Sequence, residues 1–198
     1  MNQGINLQSS DSEIISDFLK GNSSSFNFIV LKYQKKVYWV VRRMVLDHDD
    51  ADDITQEVFI KLYRTMSDFR GESSLFTYLY KIAVNYSLNH LKKNRNKFEK
   101  LKNIDEESYN IKDSSKNQDA VMADKEREKL LKEAMLALPD QQRAVFSLRF
   151  YDELSYEEIS KILGKSVGGM KANYFHALKK IQSFLLEKKN KGEIDYTL

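Results

Sequence analysis

Apolar residues recur along most of this chain at steps of three and four, the repeat of one helix face, with almost none of the strict alternation of a half-buried strand. Ser10-Asp11-Ser12-Glu13 has the spacing of a capping box, and Gly21 suits the position just past a helix end, which predicts a first helix over about 12–20. Ser23, Ser24 and Ser25 open a second segment. In it Phe26, Ile29, Val30, Tyr33, Val37, Val40, Val41 and Met44 form a broad apolar face running to about Val45. Acidic residues crowd the start of a third helix, where the macrodipole favours them, and Ile54, Val58, Phe59, Leu62 and Tyr63 carry it to about Met66. After a loop over 67–74, Ser74 is placed to cap a long helix from Leu75 to about Asn94. Two adjacent rows, Leu75, Leu79, Ile82, Tyr86 and Tyr80, Val84, Leu88, Leu91, make a wide buried stripe on it. These four helices are expected to pack as one domain.

Residues 96–118 lose the period and are rich in Lys, Asn, Asp and Ser, the composition of a flexible connector. A second helical set is expected from near Asp119 to Leu138, stopping before Pro139 because residues that precede proline avoid the α region. Asp140 is placed to cap the next helix, to about Tyr151. Ser155-Tyr156-Glu157-Glu158 is another capping box, opening a short helix with Ile159, Ile162 and Leu163 on one face; Gly164 ends it and Ser166 caps a new one. The expected fold is therefore all-α: two small helical domains, over 10–95 and 119–190, joined by a flexible linker over 96–118, the C-terminal one a helix-turn-helix.

Seven glycines and one proline in 198 residues leave little of the punctuation that hairpins need, which supports the all-helical reading. The chain has no cysteine, excluding disulfides and thiolate chemistry, and only three histidines, so no metal or other cofactor is expected. The first ten residues lack a signal-peptide pattern and no apolar run reaches bilayer length, so a cytoplasmic location is expected. The net charge of +3 says little, but the charges are segregated. Asp47, Asp49, Asp50, Asp52, Asp53 and Glu57 form an acidic block without Lys or Arg. Lys92, Lys93, Arg95, Lys97, Lys100 and Lys102 form a basic block against Glu99, and the eight lysines of 161–191 stand against Glu187 alone. Both halves thus end in the kind of segment that meets phosphates.

A recognition helix must enter a major groove about 12 Å wide, so its leading residues should be small and its next ones polar. Ser166, Gly168 and Gly169 meet the first need; Ser166 and the amides beside it can hold a phosphate, Lys171 can reach a guanine edge or phosphate, and Asn173 an adenine edge. The candidate duplex-binding set is Ser166, Val167, Gly168, Gly169, Lys171, Asn173, His176 and Lys179. The competing explanation is an ordinary helical corner with a solvated lysine face.

The run from Asp50 to Phe59, followed by Phe69-Arg70-Gly71-Glu72-Ser73-Ser74 and the helix to Asn85, resembles the second conserved region of bacterial extracytoplasmic-function sigma factors. Leu138-Pro139 and the stretch from Leu154 to Lys171 resemble their fourth. The resemblance implies that Asp52, Asp53, Gln56, Glu57 and Phe59 dock on core RNA polymerase, an acidic and aromatic patch fit for a protein partner. It also implies that the downstream promoter element, called −10, is read as an unpaired strand by the loop Phe69, Arg70, Gly71, Glu72, Ser73 and Ser74 and by the helix after it. Thr77, Lys81, Asn85, Asn89 and Lys93 recur there every four residues as a polar stripe. The second domain would bind the upstream element, called −35, as duplex. An anti-sigma protein is implied as a further partner, with no small-molecule substrate and no covalent chemistry. The family often carries tryptophan where Tyr78 stands and arginine where Lys81, Asn173 and His176 stand, so no promoter sequence carries over. Trp39 is expected to be a packed helix residue. The alternatives on the residues alone are a stand-alone helix-turn-helix regulator that needs no polymerase and a metal-dependent nuclease built on the acidic block.

Overall fold

The computed structural model describes residues 5–101 and 130–192, and among these the regular structure is helical. Helix α1 is Asp11–Leu19, α2 Phe26–Val45, α3 His48–Thr65, α4 Leu75–Leu101, α6 Asp140–Phe150, α7 Tyr156–Leu163 and α8 Val167–Asn190, with α5 described over 130–136. Short 3-10 turns, Ser23–Ser25 and Met66–Asp68, lead into α2 and out of α3.

The caps fall where the polar residues place them. Ser10 accepts from the Glu13 amide while the Glu13 carboxylate accepts from the Ser10 amide, and Ser155 with Glu158 repeats this at α7. Ser74 accepts from the Thr77 amide at 3.1 Å, and Gly164 ends α7 in the left-handed conformation at φ 63°. Asp140 is a correction: the cap position belongs to Pro139, whose fixed extended backbone (φ −56°, ψ 145°) precedes the first turn, and Asp140 lies inside that turn with its charge at the positive end of the helix. The first six residues of the expected connector also differ, since α4 continues through them to Leu101; 96–101 contain neither glycine nor proline to stop it. The rest of the connector, and the expected helix start near Asp119, lie outside the described residues.

Hydrogen bonds from the Ser155 amide and hydroxyl hold the Glu158 carboxyl below its usual range. A carboxyl lowered on folding contributes stability above its unfolded value, and that contribution is lost as pH falls through the folded one. Glu158→Ala should therefore melt a few degrees below the parent at neutral pH, with the difference shrinking as acid protonates the carboxyl. Calorimetry across that range checks this.

The first core gathers Ile14, Ile29, Tyr33, Val37, Val41, Ile54, Val58, Leu62, Leu79 and Ala83 from α1–α4. A second cluster crosses between the halves: Val40 and Met44 of α2 and Tyr80 and Val84 of α4 pack with Ala144, Val145, Leu148, Ile159, Ile162 and Met170. A third joins Met135, Leu138, Phe146, Ala177 and Ile181, with Leu46 from the end of α2 against it. The two helical domains are thus seated on each other, α2 on α6 and α4 on α7. Trp39 departs from expectation. It is 45% exposed with its ring edge-on to Tyr38, because the neighbouring positions Val37 and Val40 take the inward directions and turn it out.

Candidate nucleic-acid interface

Loop 69–74 stands between α3 and α4 with Arg70, Gly71, Glu72 and Ser74 exposed. Gly71 has φ 71°, a backbone that favours glycine and turns the loop sharply. Phe69 is half-buried, its ring 5.3 Å from that of Tyr78, whose hydroxyl donates to Thr65 at 3.1 Å. The loop is therefore pinned at its aromatic end and at the Ser74 cap, while its polar residues face solvent. Beyond it Lys81, Asn85, Asn89 and Lys93 are exposed in one row, and Thr77 begins that row half-buried with its hydroxyl 2.9 Å from that of Ser74. Phe76 and Tyr80 stack on each other at 4.1 Å and belong to the packing.

Helix α3 sorts the acidic block into two groups. Asp47 is the N-cap, Asp50 meets His90 Nε2 at 2.9 Å, and Asp52 lies 3.6 Å from His48. Among the described residues Asp53 and Glu57 make no ion pair, and with Asp52 and Gln56 they are exposed. Phe59, expected on this surface, is a correction: it follows Val58 on the inward face and is only 8% exposed. The apolar surface one turn on comes from Ile60 and Tyr63, 51% and 47% exposed, which with Phe26, Phe59 and Arg64 line a shallow groove. Both were legible as residues next to the buried row of the helix rather than in it.

At α8 the Ser166 hydroxyl accepts from the Gly169 amide at 3.2 Å, and a Cβ on Gly169 would stand 3.2 Å from that same oxygen, so glycine there lets the cap close. A Cβ on Gly168 would meet nothing within 4 Å. Val167 is half-buried, whereas Gly168, Lys171, His176 and Lys179 are exposed. Asn173 is half-buried, and its amide donates back to the Gly169 carbonyl at 2.9 Å, so the side chain offered for an adenine edge is engaged within its own helix. Phe175, not among the expected readers, is 53% exposed beside His176, with Lys179 Nζ 4.7 Å from its ring centre. It follows the inward Tyr174, and that one-residue offset was its signal. Thymine methyl groups suit an exposed phenyl ring.

Fold and surfaces together define a two-domain helical protein with a helix-turn-helix and a second polar helix row. The sequence matches Sigma-70 region 2 over residues 29–97 and Sigma-70, region 4 over 128–181. It is 33% identical over 184 residues to the RNA polymerase sigma-H factor of Pseudomonas aeruginosa, covering 90% of this chain and 95% of that protein. To the ECF RNA polymerase sigma-E factor of Escherichia coli it is 34% identical over 182 residues, covering 89% and 94%. In fold it resembles CnrH, solved with the cytosolic domain of CnrY (TM-score 0.63, 18% identity, 89% of this chain and 97% of that one). It also resembles the sigma factor RpoE of Bartonella quintana, solved with the anti-sigma factor NepR (TM-score 0.64, 22% identity, 81% and 96%). The chain belongs to the extracytoplasmic-function group of the sigma-70 family and is an RNA polymerase sigma factor. No helix among the described residues is long and apolar enough to cross a membrane.

Proposed function

We propose that the domain over 10–95 docks on core RNA polymerase and captures the unpaired −10 strand, and that the domain over 119–190 binds the −35 element as duplex. The docking face is Asp52, Asp53, Gln56 and Glu57, continued by Ile60 and Tyr63 in place of the buried Phe59. The strand-reading set is loop 69–74 with Thr77, Lys81, Asn85, Asn89 and Lys93. The protein acts in the cytoplasm by positioning and opening DNA, with no catalysis, cofactor or small-molecule substrate of its own. An anti-sigma protein is its regulatory partner, a reading supported by the RpoE–NepR complex.

The observation that carries the duplex assignment is Gly168. It sits in the first turn of a helix, where glycine costs stability, has no left-handed φ and has no protein atom near its missing Cβ. Among the described residues nothing requires glycine there, and the open turn leaves room for a DNA backbone to lie against it. Lys171, exposed one turn on, then reaches a base or a phosphate. Lys171→Ala should weaken upstream-element binding by roughly 1–3 kcal/mol if it reads a base, or lower the salt slope by about one if it neutralises a phosphate. Binding titrations at several salt concentrations separate the two, and no change in either contradicts the assignment.

A further inference from the structure

We propose that binding of the upstream element is proton-linked through His176, so that the second domain holds duplex DNA more tightly in mild acid than in mild base. This rests on the duplex reading above. Gly168, Ala172 and His176 recur every four residues along α8, and all three are exposed. The row opens on two residues with almost no side chain, so a duplex can come close to the first two turns, and the imidazole is the first long group it meets there. Lys179 and Lys180, exposed one turn further on, continue the same side of the helix.

Nothing in the protein occupies this ring. Among the described residues His176 makes no hydrogen bond and no ion pair, and its ring contact is with Phe175 at 5.8 Å. The other two histidines are engaged: His48 meets the Tyr38 hydroxyl at 2.8 Å and His90 meets Asp50 at 2.9 Å. The charged groups on the elements packed against α8 are turned elsewhere. Glu158 of α7 holds the Ser155 cap, Arg149 of α6 donates to the Leu154 carbonyl at 3.0 Å, and Glu133 of the α5 segment pairs with Lys188 at 3.3 Å. On α8 itself the acid is Glu187, about three turns away and 2.6 Å from Lys191. No carboxylate among the described residues competes for a proton on His176 by pairing with it.

A neutral imidazole carries one donor and one acceptor, whereas the imidazolium carries two donors and a positive charge. Duplex DNA offers acceptors to such a row, a phosphate oxygen or the O6 and N7 edge of guanine, and a charged donor makes the stronger bond to either. DNA therefore selects the protonated ring, and by reciprocity the proton strengthens DNA binding. Histidine is the side chain whose ordinary titration falls between about pH 5 and 8, so the effect lies near neutrality, while the neighbouring lysines stay charged throughout. The sign follows: affinity is highest in acid and is lost as pH rises through that range.

The test is the affinity of the full-length protein, assembled with core RNA polymerase, for a duplex carrying the promoter of a protein-dependent start, from about pH 6 to about pH 8.5. Parent, His176→Arg and His176→Gln are compared; the position is exposed, so all three should fold alike. Any response of polymerase itself to pH cancels in the ratio of parent to His176→Arg at each pH. The parent should lie nearest to His176→Arg at the acid end and fall roughly fivefold relative to it by the basic end, approaching His176→Gln. The ratio of the two variants to each other should not change with pH, and His90→Gln, in the other domain, should keep the parent's profile. A phosphate contact should steepen the salt slope by about one in acid, whereas a guanine contact should leave the slope alone and vanish on a probe with 7-deazaguanine. A ratio of parent to His176→Arg that is constant in pH overturns the proposal, as does a pH profile that persists in His176→Gln. Absence of promoter binding at every pH, His176→Arg included, counts against the duplex reading and removes the proposal with it, whereas tight binding without the pH effect removes the proposal alone.

Discussion

Exchanging loop residues 70–73 for a glycine-serine segment of equal length is expected to abolish promoter opening while leaving polymerase docking and upstream binding intact. The exchange spares Phe69, which packs on Tyr78, and Ser74, which caps α4, so the fold is kept and the chemistry of the exposed Arg70 and Glu72 and the half-buried Ser73 is removed. A base inside a duplex cannot enter such a loop, so its capture is linked to unstacking and shifts the local equilibrium toward open DNA. Unstacking costs a few kcal/mol, so losing the compensation should lower the open fraction roughly a hundredfold. Permanganate reactivity of unpaired thymines and transcript yield should fall together. A premelted template should recover much of the activity, since its strands are already apart. Equal opening by the exchanged protein would make the loop a connector and leave strand capture to α4.

Reversing charge at Asp53 and Glu57 to lysine should detach the protein from polymerase. Both side chains are exposed and, among the described residues, have no ion pair, so the change should leave folding intact. At an interface, by contrast, each reversal places like charges together, which costs several kcal/mol and predicts at least a hundredfold loss in affinity. Tyr63→Ala should add a smaller loss by removing the apolar end of the same face. Co-purification of the folded double variant with core polymerase at the parent's level would remove α3 as the docking surface. Asp50→Asn, whose carboxylate already meets His90, is expected to affect docking much less.

The helices and most of their caps were legible because local signals settle them: serine three residues before glutamate, glycine past a helix end, apolar residues at helical spacing. The wide stripe on α4 is also visible in the spacing, which by itself points to a single domain. Its first row, Leu75, Leu79 and Ile82, does fill the first core, whereas Tyr80 and Val84 meet the second domain. Periodicity reports that a face is buried and carries no information about which body buries it. Arg143 carries no local signal for the same reason, since its carbonyl partner at Met44 is 99 positions away. On the candidate sites, the exposed rows of α4 and α8 follow directly from helical spacing. Phe59 and Asn173 do not behave as surface readers, because one residue of rotation turns the first inward and a carbonyl one turn back engages the second. Tyr63 and Phe175, one turn on from Phe59 and two residues on from Asn173, are the exposed aromatic residues nearby. The resemblance supplied the order and roles of the regions, which composition alone does not contain.

The most direct measurement of the central claim is transcription by purified core RNA polymerase on fragments of the genome from which the chain comes, with and without the protein, with the 5′ ends of the transcripts sequenced. The account predicts start sites that depend on the protein and are preceded by two shared sequence elements at a fixed spacing. Those starts should weaken with Lys171→Ala and with the 70–73 exchange. Absence of protein-dependent starts, or starts that share no upstream pair of elements, would contradict it.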